Sequence, residues 1–557
     1  MHPISESRIR IFHCLALTVI GLALTVPVIS SGFIKGHDVV WHMTWGRLFA
    51  EQFGSGDLYP RWLMDANAGL GSPVFYFYPP LPSYVASLLK LLLPSTWSFW
   101  YPLGLSASLG LVISGLTAYL WLRKIATANA ALFAAVVYMV LPYHLRIDLY
   151  QRFAFAEFWA FAWLPLILYF THEIASGNRK AIVGAAVSYA LLVMTHLLTT
   201  LLFSPVLLCY ALWVANKGKR VSSLSLTSLA IILGAGLSAI FLFPAMTTQE
   251  LVPLSTMYYI THEFFKDGFL FYGLSAESEG LKEFWRHLAQ ALALTVAVSC
   301  CAWFASRTRQ NTRTSSEVAF WALTVALTVF MTHPLSEPVW RIIPKHGFVQ
   351  FPWRILTITT LATSGLLAIA LSSLKKPYTY RQIIPMMLVA ALIASQLVSS
   401  LKIIKLGPVE ELEASRIVQI GFITPEYRPR WVPDGLYNEK SLIELGQQDK
   451  VTLLNGAGTA RVLEWNHAHI RVETHVDREA VPQIGQFYYP GWTATLGEQQ
   501  DPLSVQPNQA NGLLTVKIPA GDHQISLQRV ALKEEIIGRI ISLFSLLILV
   551  VLRFRRD

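Results

Sequence analysis

Residues 35–82 read KGHDVVWHMTWGRLFAEQFGSGDLYPRWLMDANAGLGSPVFYFYPPLP, and the rest of the chain is organised around them. The stretch follows the first hydrophobic segment, and it is the most polar part of the N-terminal 120 residues. Asp38 sits between His37 and Val39 where the chain should leave a bilayer, and His42 follows four residues later, on the same face of a helix. A basic-aromatic step comes next, Tyr59-Pro60-Arg61-Trp62. The stretch closes on Tyr76-Phe77-Tyr78-Pro79-Pro80-Leu81-Pro82, where prolines fix the backbone and aromatic rings suit a membrane interface. A carboxylate, two imidazoles and a guanidinium at a membrane surface fit a phosphate-bearing lipid substrate.

The surroundings agree with that setting. Of 557 residues, 54% are hydrophobic and only 14% charged, with a mean hydropathy of +0.46. Those values exclude an ordinary soluble protein. The net charge of +10 is not a nucleic-acid signal, because the Lys/Arg clusters fall between hydrophobic segments, as membrane topology requires. Cys14, Cys209, Cys300 and Cys301 lie in or beside apolar runs and are expected as free thiols. The first segment is too long for a signal-peptide core and reads as a retained anchor.

The fold class expected is an α-helical polytopic membrane protein with a β-rich extracytoplasmic domain near its C-terminus. Twelve spans are expected, near 11–31, 99–122, 126–144, 153–171, 179–196, 198–215, 222–244, 287–305, 316–332, 352–373, 381–400 and 536–553. The stretch 79–94 is read as a juxtamembrane helix on the outer face. Only then do the basic clusters at 123–124, 178–180, 217–220, 307–313, 375–376 and 553–556 all fall inside. This topology puts both termini in the cytoplasm and the segments 32–98, 144–152, 245–286, 333–351 and 401–535 outside. Three units follow: a transmembrane domain over 1–400, a β-rich domain over 401–535, and a final span with its basic tail over 536–557. In the second, Arg461 to His475 alternates, and runs at 513–519 and 523–530 are joined by a tight turn, Ala520-Gly521-Asp522.

Three constellations carry candidate chemistry. Asp38 with His37 and His42 reads as a general base with its orienting imidazoles, or as a site for a divalent cation such as Mg or Mn; the alternative is a helix N-cap. Arg152 stands at the outer interface with Glu157 a turn and a half into an apolar helix. This is either a functional intramembrane carboxylate or a pair with Arg152 or His144 that fixes packing. Val349-Gln350-Phe351-Pro352-Trp353-Arg354 starts a helix at a proline, and Arg354 there is either a phosphate ligand or a headgroup anchor. His262, Glu263, Lys266, Asp267, His333, Lys345 and His346 are weaker candidates on outer loops. Thr195 and His196 read as interhelical hydrogen-bonding groups. His467, His469 and His475 share a strand face with Arg471 and Glu473, read as solvated rather than metal-binding. No phosphate-binding GxxxxGK[ST] loop, GxSxG elbow or HExxH is present, so a reaction here must draw on an activated substrate.

The layout resembles the GT-C superfamily of integral-membrane glycosyltransferases. Within it, the motifs are similar to the bacterial membrane family labelled 6-pyruvoyl-tetrahydropterin synthase related and its larger YfhO-like relatives. The matching residues are GHDVVWH at 36–42, YPRW at 59–62, the run from 69 to 81 ending FYPPL, YQRFAFAEFWAFAWLPLIL at 150–168, THLLT at 195–199 and QFPWR at 350–354. FYYPGW at 487–492 and GLLTVKIPAGDHQISL at 512–527 resemble the end of a YfhO-type outer domain. The resemblance implies a polyprenyl-phosphate-sugar donor and transfer on the periplasmic side of a bacterial plasma membrane to a glycan, lipid or protein acceptor. It sets Asp38 at the catalytic carboxylate position, although the paired acidic residue common in that superfamily is absent. Arg354, Arg61 and Arg152 are then the expected phosphate ligands, Glu157 and Gln350 their supports, and Tyr76, Tyr78, Pro79 and Pro80 the lining of a lipid groove. The competing expectation is a lipid or polysaccharide transporter, with Glu157 and His196 on its path.

Overall fold

A computed structural model of the chain describes residues 6–30, 32–253, 268–270, 279–306, 312–342, 349–374, 380–455, 458–497 and 499–554. Among these residues ten helices are long and apolar enough to cross a membrane: Glu6–Ser30, Trp100–Leu122, Ala128–Arg152, Phe155–Ser176, Leu197–Val214, Lys217–Leu237, Lys282–Ser306, Pro352–Ser372, Ile383–Ile403 and Lys533–Phe554. A pair bent by 97°, Ser315–Met331 with Pro334–Ile342, makes an eleventh.

The twelfth expected span, at 179–196, is the helix Ala181–Val193. Its 13 residues rise ~20 Å, short of the ~30 Å of a hydrocarbon core. It stops because His196 turns out of the helix to cap the next one, its ring accepting from the Thr199 N–H. The segment expected at 222–244 is likewise broken: one helix ends at Leu237 and a second runs Ala239–Thr247. At the break the Ser238 hydroxyl donates back to the carbonyls of Gly234 and Ala235. All four cysteines are free.

Trp100–Leu122, Phe155–Ser176 and Pro352–Ser372 form the buried centre of the bundle, while Glu6–Ser30 and Lys533–Phe554 keep apolar faces outward. Phe12, Leu15 and Val19 on the former and Leu543, Phe544 and Val551 on the latter are exposed, as lipid-facing surfaces require. The helix Leu81–Leu92 spans only 12 residues, buries Pro82, Ser83, Ala86 and Ser87, and exposes Leu88, Leu91 and Leu92. That amphipathic shape suits a helix lying at a membrane surface.

At one end of the bundle the opening stretch and the β-rich region share a core. Phe33–Ile34 pairs antiparallel with Leu406–Gly407, so the two segments begin side by side. A four-stranded sheet has the order Val451–Leu453, Pro482–Phe487, Leu513–Val516, Val505–Pro507; a five-stranded sheet runs Gly458–Trp465, Ile470–Val476, Gly521–Arg529, Trp492–Leu496, Asp501–Leu503. The expected strands at 513–519 and 523–530 are present but do not pair; they belong to different sheets. Leu513, Leu514 and Val516 of one and Ile525 and Leu527 of the other are all buried, which sends the chain across the core rather than back along an edge. Trp45, Phe49, Trp62 and Phe75 join the same cluster as Ile484, Phe487 and Leu514. Buried amides tie the seam: Asn67 donates to Gly71 O and Tyr437 Oη and accepts from Ile423 N, and Gln486 Oε1 accepts from Trp62 Nε1 at 3.0 Å.

Candidate active site

Tyr143–Arg152 is a wide-turned π-helix continuing the span that starts at Ala128, and every residue of it except Gln151 is buried. It ends at Phe153, which takes a left-handed φ of 55°. That turn folds the chain sharply into the helix Phe155–Ser176, so Arg152 and Glu157 face each other across the reversal. Gln350, before the helix that carries Arg354, is also left-handed, at 60°. Non-glycine residues in this region cost ~1–3 kcal/mol each and tend to mark functional sites.

Arg152 is the hub. Its Nη1 donates to Asp148 Oδ1 at 3.0 Å and to Glu157 Oε2 at 2.9 Å, and its Nη2 lies 3.4 Å from Asp38 Oδ2. Trp353 covers the guanidinium, with 5.0 Å from its carbon to the ring centre. Glu157, 3% exposed, accepts from Tyr143 Oη at 2.6 Å and from Thr357 Oγ1 at 3.4 Å. Arg354 Nε stands 3.9 Å from Glu157 Oε2 and makes no hydrogen bond among the described residues; neither does Asp148 Oδ2.

Asp38 enters this cluster from the opening stretch. Its backbone N–H donates to Arg152 O at 2.8 Å and that of His37 to Gln151 O at 3.2 Å. Gly36 permits the approach: a Cβ there would lie 2.8 Å from the Arg152 carbonyl oxygen. Asp38 holds the N-cap position of Val39–Gly54, yet its side chain makes no capping bond. It turns to Arg152 instead and keeps 36% of its side chain exposed, against 0% for Asp148 and 3% for Glu157.

The two imidazoles do not touch the Asp38 carboxylate. His42 Nε2 accepts from the Phe155 N–H at 3.3 Å, and the His37 ring packs edge-on against Phe284, 5.2 Å between centres. Burial, more than any neighbouring charge, lowers the pKa of both; Asp38 opposes the shift and Arg152 adds to it, and His42 is brought down to about 4. Beside His42 a cleft is lined by Trp45, Tyr78, Pro82, Ala86 and Phe155. Pro79 and Pro80 are buried at the start of Leu81–Leu92.

Arg61 and Tyr76 lie elsewhere. Arg61 pairs with Glu535 at 3.1 Å, Tyr76 donates to the same carboxylate, and both belong to the junction of the β-rich region with the last helix. His144 is not Glu157's partner: it stacks on Phe161 at 3.9 Å and bonds to Tyr138 O. Thr195 accepts from Trp163 Nε1 at 2.9 Å, an interhelical bond. Arg471, Glu473 and His475 are on the exposed face of their strand. His262, Glu263, Lys266, Asp267, Lys345 and His346 lie outside the described residues.

Sequence reasoning missed Asp148, Tyr143 and Thr357. Asp148 carried a signal, its four-residue spacing from Arg152 inside an apolar segment. Tyr143 and Thr357 carried none. No group of three or more His, Cys, Asp or Glu able to hold a metal occurs among the described residues.

Comparison with solved structures returns distant similarity to membrane transferases. Arabinofuranosyltransferase AftD from Mycobacteria is 14% identical over 72% of this chain and 27% of its own, with a TM-score of 0.47. An oligosaccharyltransferase of Archaeoglobus fulgidus is 13% identical over 77% and 59%, at 0.43. ArnT from Cupriavidus metallidurans, solved bound to undecaprenyl phosphate, is 15% identical over 78% and 76%, also at 0.43. Among curated proteins, an uncharacterized protein of Lactococcus lactis subsp. cremoris is 29% identical over a 252-residue alignment that covers 42% of this chain and only 39% of that protein. The match that extends through the bundle is to a family model: residues 75–404, well over half the chain and including the π-helix, Glu157 and Arg354, fit the 6-pyruvoyl-tetrahydropterin synthase related domain of membrane proteins, and the chain belongs to that family.

Proposed function

We propose that the chain is an inverting membrane glycosyltransferase, moving a sugar from a polyprenyl-phosphate donor to an acceptor hydroxyl on the extracytoplasmic face. The observation that carries this reading is the unequal exposure of three carboxylates around Arg152. Asp148 and Glu157 are sealed, whereas Asp38 stays partly exposed. A base must reach a substrate, and among these three carboxylates the exposure of Asp38 supports that role.

In the proposed step the acceptor oxygen bonds to C1 of the sugar while Asp38 takes its proton. The bond from C1 to the phosphate oxygen breaks, and the electron pair stays on the phosphate. Arg354, whose Nε is uncommitted, offsets the charge that develops there. Arg152 has no such freedom, since three carboxylates share it; it is a positioning residue that holds Asp38 in place. The cleft beside His42, walled by Tyr78 and Pro82, has a volume of about 10 Å³, room for one water, so an isoprenoid tail entering there has to part these side chains. His42 uses its Nε2 lone pair on the Phe155 N–H, so it orients the helix start that carries Glu157 rather than the acceptor.

A divalent cation does not fit these residues. Of the three carboxylates only Asp38 is accessible, a guanidinium stands 3.4 Å from it, Glu157 is engaged by Arg152, and Asp148 meets Arg152 through Oδ1 while its Oδ2 is sealed from solvent. No step is routed through a metal. The transporter alternative needs Glu157 on a path through the membrane, whereas its oxygens are engaged by Tyr143, Thr357 and Arg152.

The test is a deletion strain with lipid-linked sugars and envelope glycans profiled by mass spectrometry. The reading expects loss of one sugar-sized decoration together with accumulation of its polyprenyl-phosphate donor. Unchanged donor levels with a changed distribution of finished glycan across the membrane would support transport instead.

A further inference from the structure

Away from Asp38, where the opening stretch meets the β-rich region and the last helix, lies a second polar cavity of about 200 Å³. That is far above the ~10–15 Å³ needed for one water. Its walls carry Tyr59, Arg61, Tyr76, Arg529, Glu535 and Arg539.

The carboxylates here are fully used and the guanidiniums are not. Glu535 Oε1 accepts from Tyr76 Oη and Leu532 N, and its Oε2 faces Arg61 at 3.1 Å and Arg539 at 3.5 Å. Asp57, also on the wall, accepts from Tyr59 N on one oxygen and Gln52 Nε2 on the other. Arg61 is 4% exposed and stacks 3.8 Å over Tyr59, yet its Nη1 has no partner among the described residues. Arg529 donates from Nη2 to Tyr76 Oη at 2.7 Å, while its Nε has none. Burial pushes the Tyr76 phenol up to about 12, so it stays a donor to Glu535. Three guanidiniums therefore face two saturated carboxylates, with buried N–H donors left over. Unmet buried donors are costly, and a singly charged oxyanion satisfies both the charge and the hydrogen bonds. The cavity also opens at the first turn of Lys533–Phe554, a membrane-crossing helix, which places it level with lipid headgroups.

We propose that this cavity binds a singly charged phosphate group through Arg61 and Arg529, presented by a phospholipid headgroup or as the free ion. The site stands apart from the transfer reaction and does not depend on it. The experiment uses the full chain in detergent, following the unfolding midpoint against added phosphatidylglycerol, inorganic phosphate or, as a lipid without phosphate, diacylglycerol. Protection by phosphatidylglycerol alone assigns a lipid headgroup; protection by inorganic phosphate as well assigns the free anion. Arg529→Gln is expected to weaken binding about tenfold or more, and Arg529→Lys less so. If Arg529→Gln fails to fold, Arg539→Gln, altered at a half-exposed rim residue, is expected to weaken it severalfold. Arg354→Gln should leave this binding unchanged. Equal protection by diacylglycerol, or binding that survives both Arg529→Gln and Arg539→Gln, would overturn the proposal.

Discussion

Arg152 and Arg61 are buried alike, at 6% and 4% exposure, and each pairs with a carboxylate that opens a membrane helix. Their surroundings differ in what is left over. Around Arg152 there are three carboxylates, and the exposed one is Asp38. Around Arg61 the carboxylates are saturated and the spare groups are N–H donors. One cluster can accept a proton from a substrate, and the other can hold an anion. Counting ion pairs separates them only in number, three at Arg152 against one at Arg61. The identity of the uncommitted atom separates them.

Breaking the hubs is the most drastic way to test that contrast. Arg152→Met leaves two sealed carboxylates without their cation and should cost about 3–5 kcal/mol, read as loss of folded protein or a large drop in Tm in detergent. Arg152→Lys should rescue only partly, because a point charge cannot serve three carboxylates in fork geometry. At the other cluster Arg61→Met should cost less, about 2 kcal/mol, since Glu535 keeps Tyr76 and Arg539. Adding Glu535→Gln to Arg61→Met should recover part of that loss in a double-mutant cycle. Equal costs for the two arginines would erase the distinction.

Smaller changes sharpen the comparison. Gly36→Ala forces its Cβ against the Arg152 carbonyl and should cost about 1–2 kcal/mol while lowering turnover, as the Asp38 backbone is pushed off its anchor. A gradual effect concerns pH. Burial holds His42 neutral, with a pKa of about 4 against an ordinary value near 6.5 in the unfolded chain. The unfolded state therefore binds the extra proton between those values, so this contribution to stability is complete above pH ~6.5 and declines as pH falls toward 4. Integrated over the whole window its size is about 3 kcal/mol, and His42→Gln should flatten that part of the Tm–pH curve. A wild-type curve that rises on acidification would reverse the sign.

Legibility in the sequence followed the range of the contacts. The spans showed in long apolar runs, and the placement of Asp38 and Arg354 in local motifs. Arg152 and Glu157 were close enough in sequence to be read as a pair, and the structure pairs them at 2.9 Å. Arg61 and Tyr76 could not be sorted the same way. Their partners lie on the last helix and the last strand, Glu535 459 positions and Arg529 453 positions after Tyr76. The same holds for Leu513–Val516 and Gly521–Arg529, adjacent strands whose assignment to different sheets depends on partners far away. Ala181–Val193 was overestimated because hydropathy does not see His196 leaving the helix to cap its neighbour.

The most direct test is transfer by the purified protein, with a labelled polyprenyl-phosphate sugar and an envelope acceptor fraction, comparing wild type with Asp38→Asn. Asp38 is partly exposed and makes no cap, so the variant should fold and melt close to wild type. The account predicts turnover reduced by ~10²–10⁴-fold with donor binding retained, as expected when a general base is lost. Full turnover in a folded Asp38→Asn protein would contradict it and return the opening stretch to a structural role.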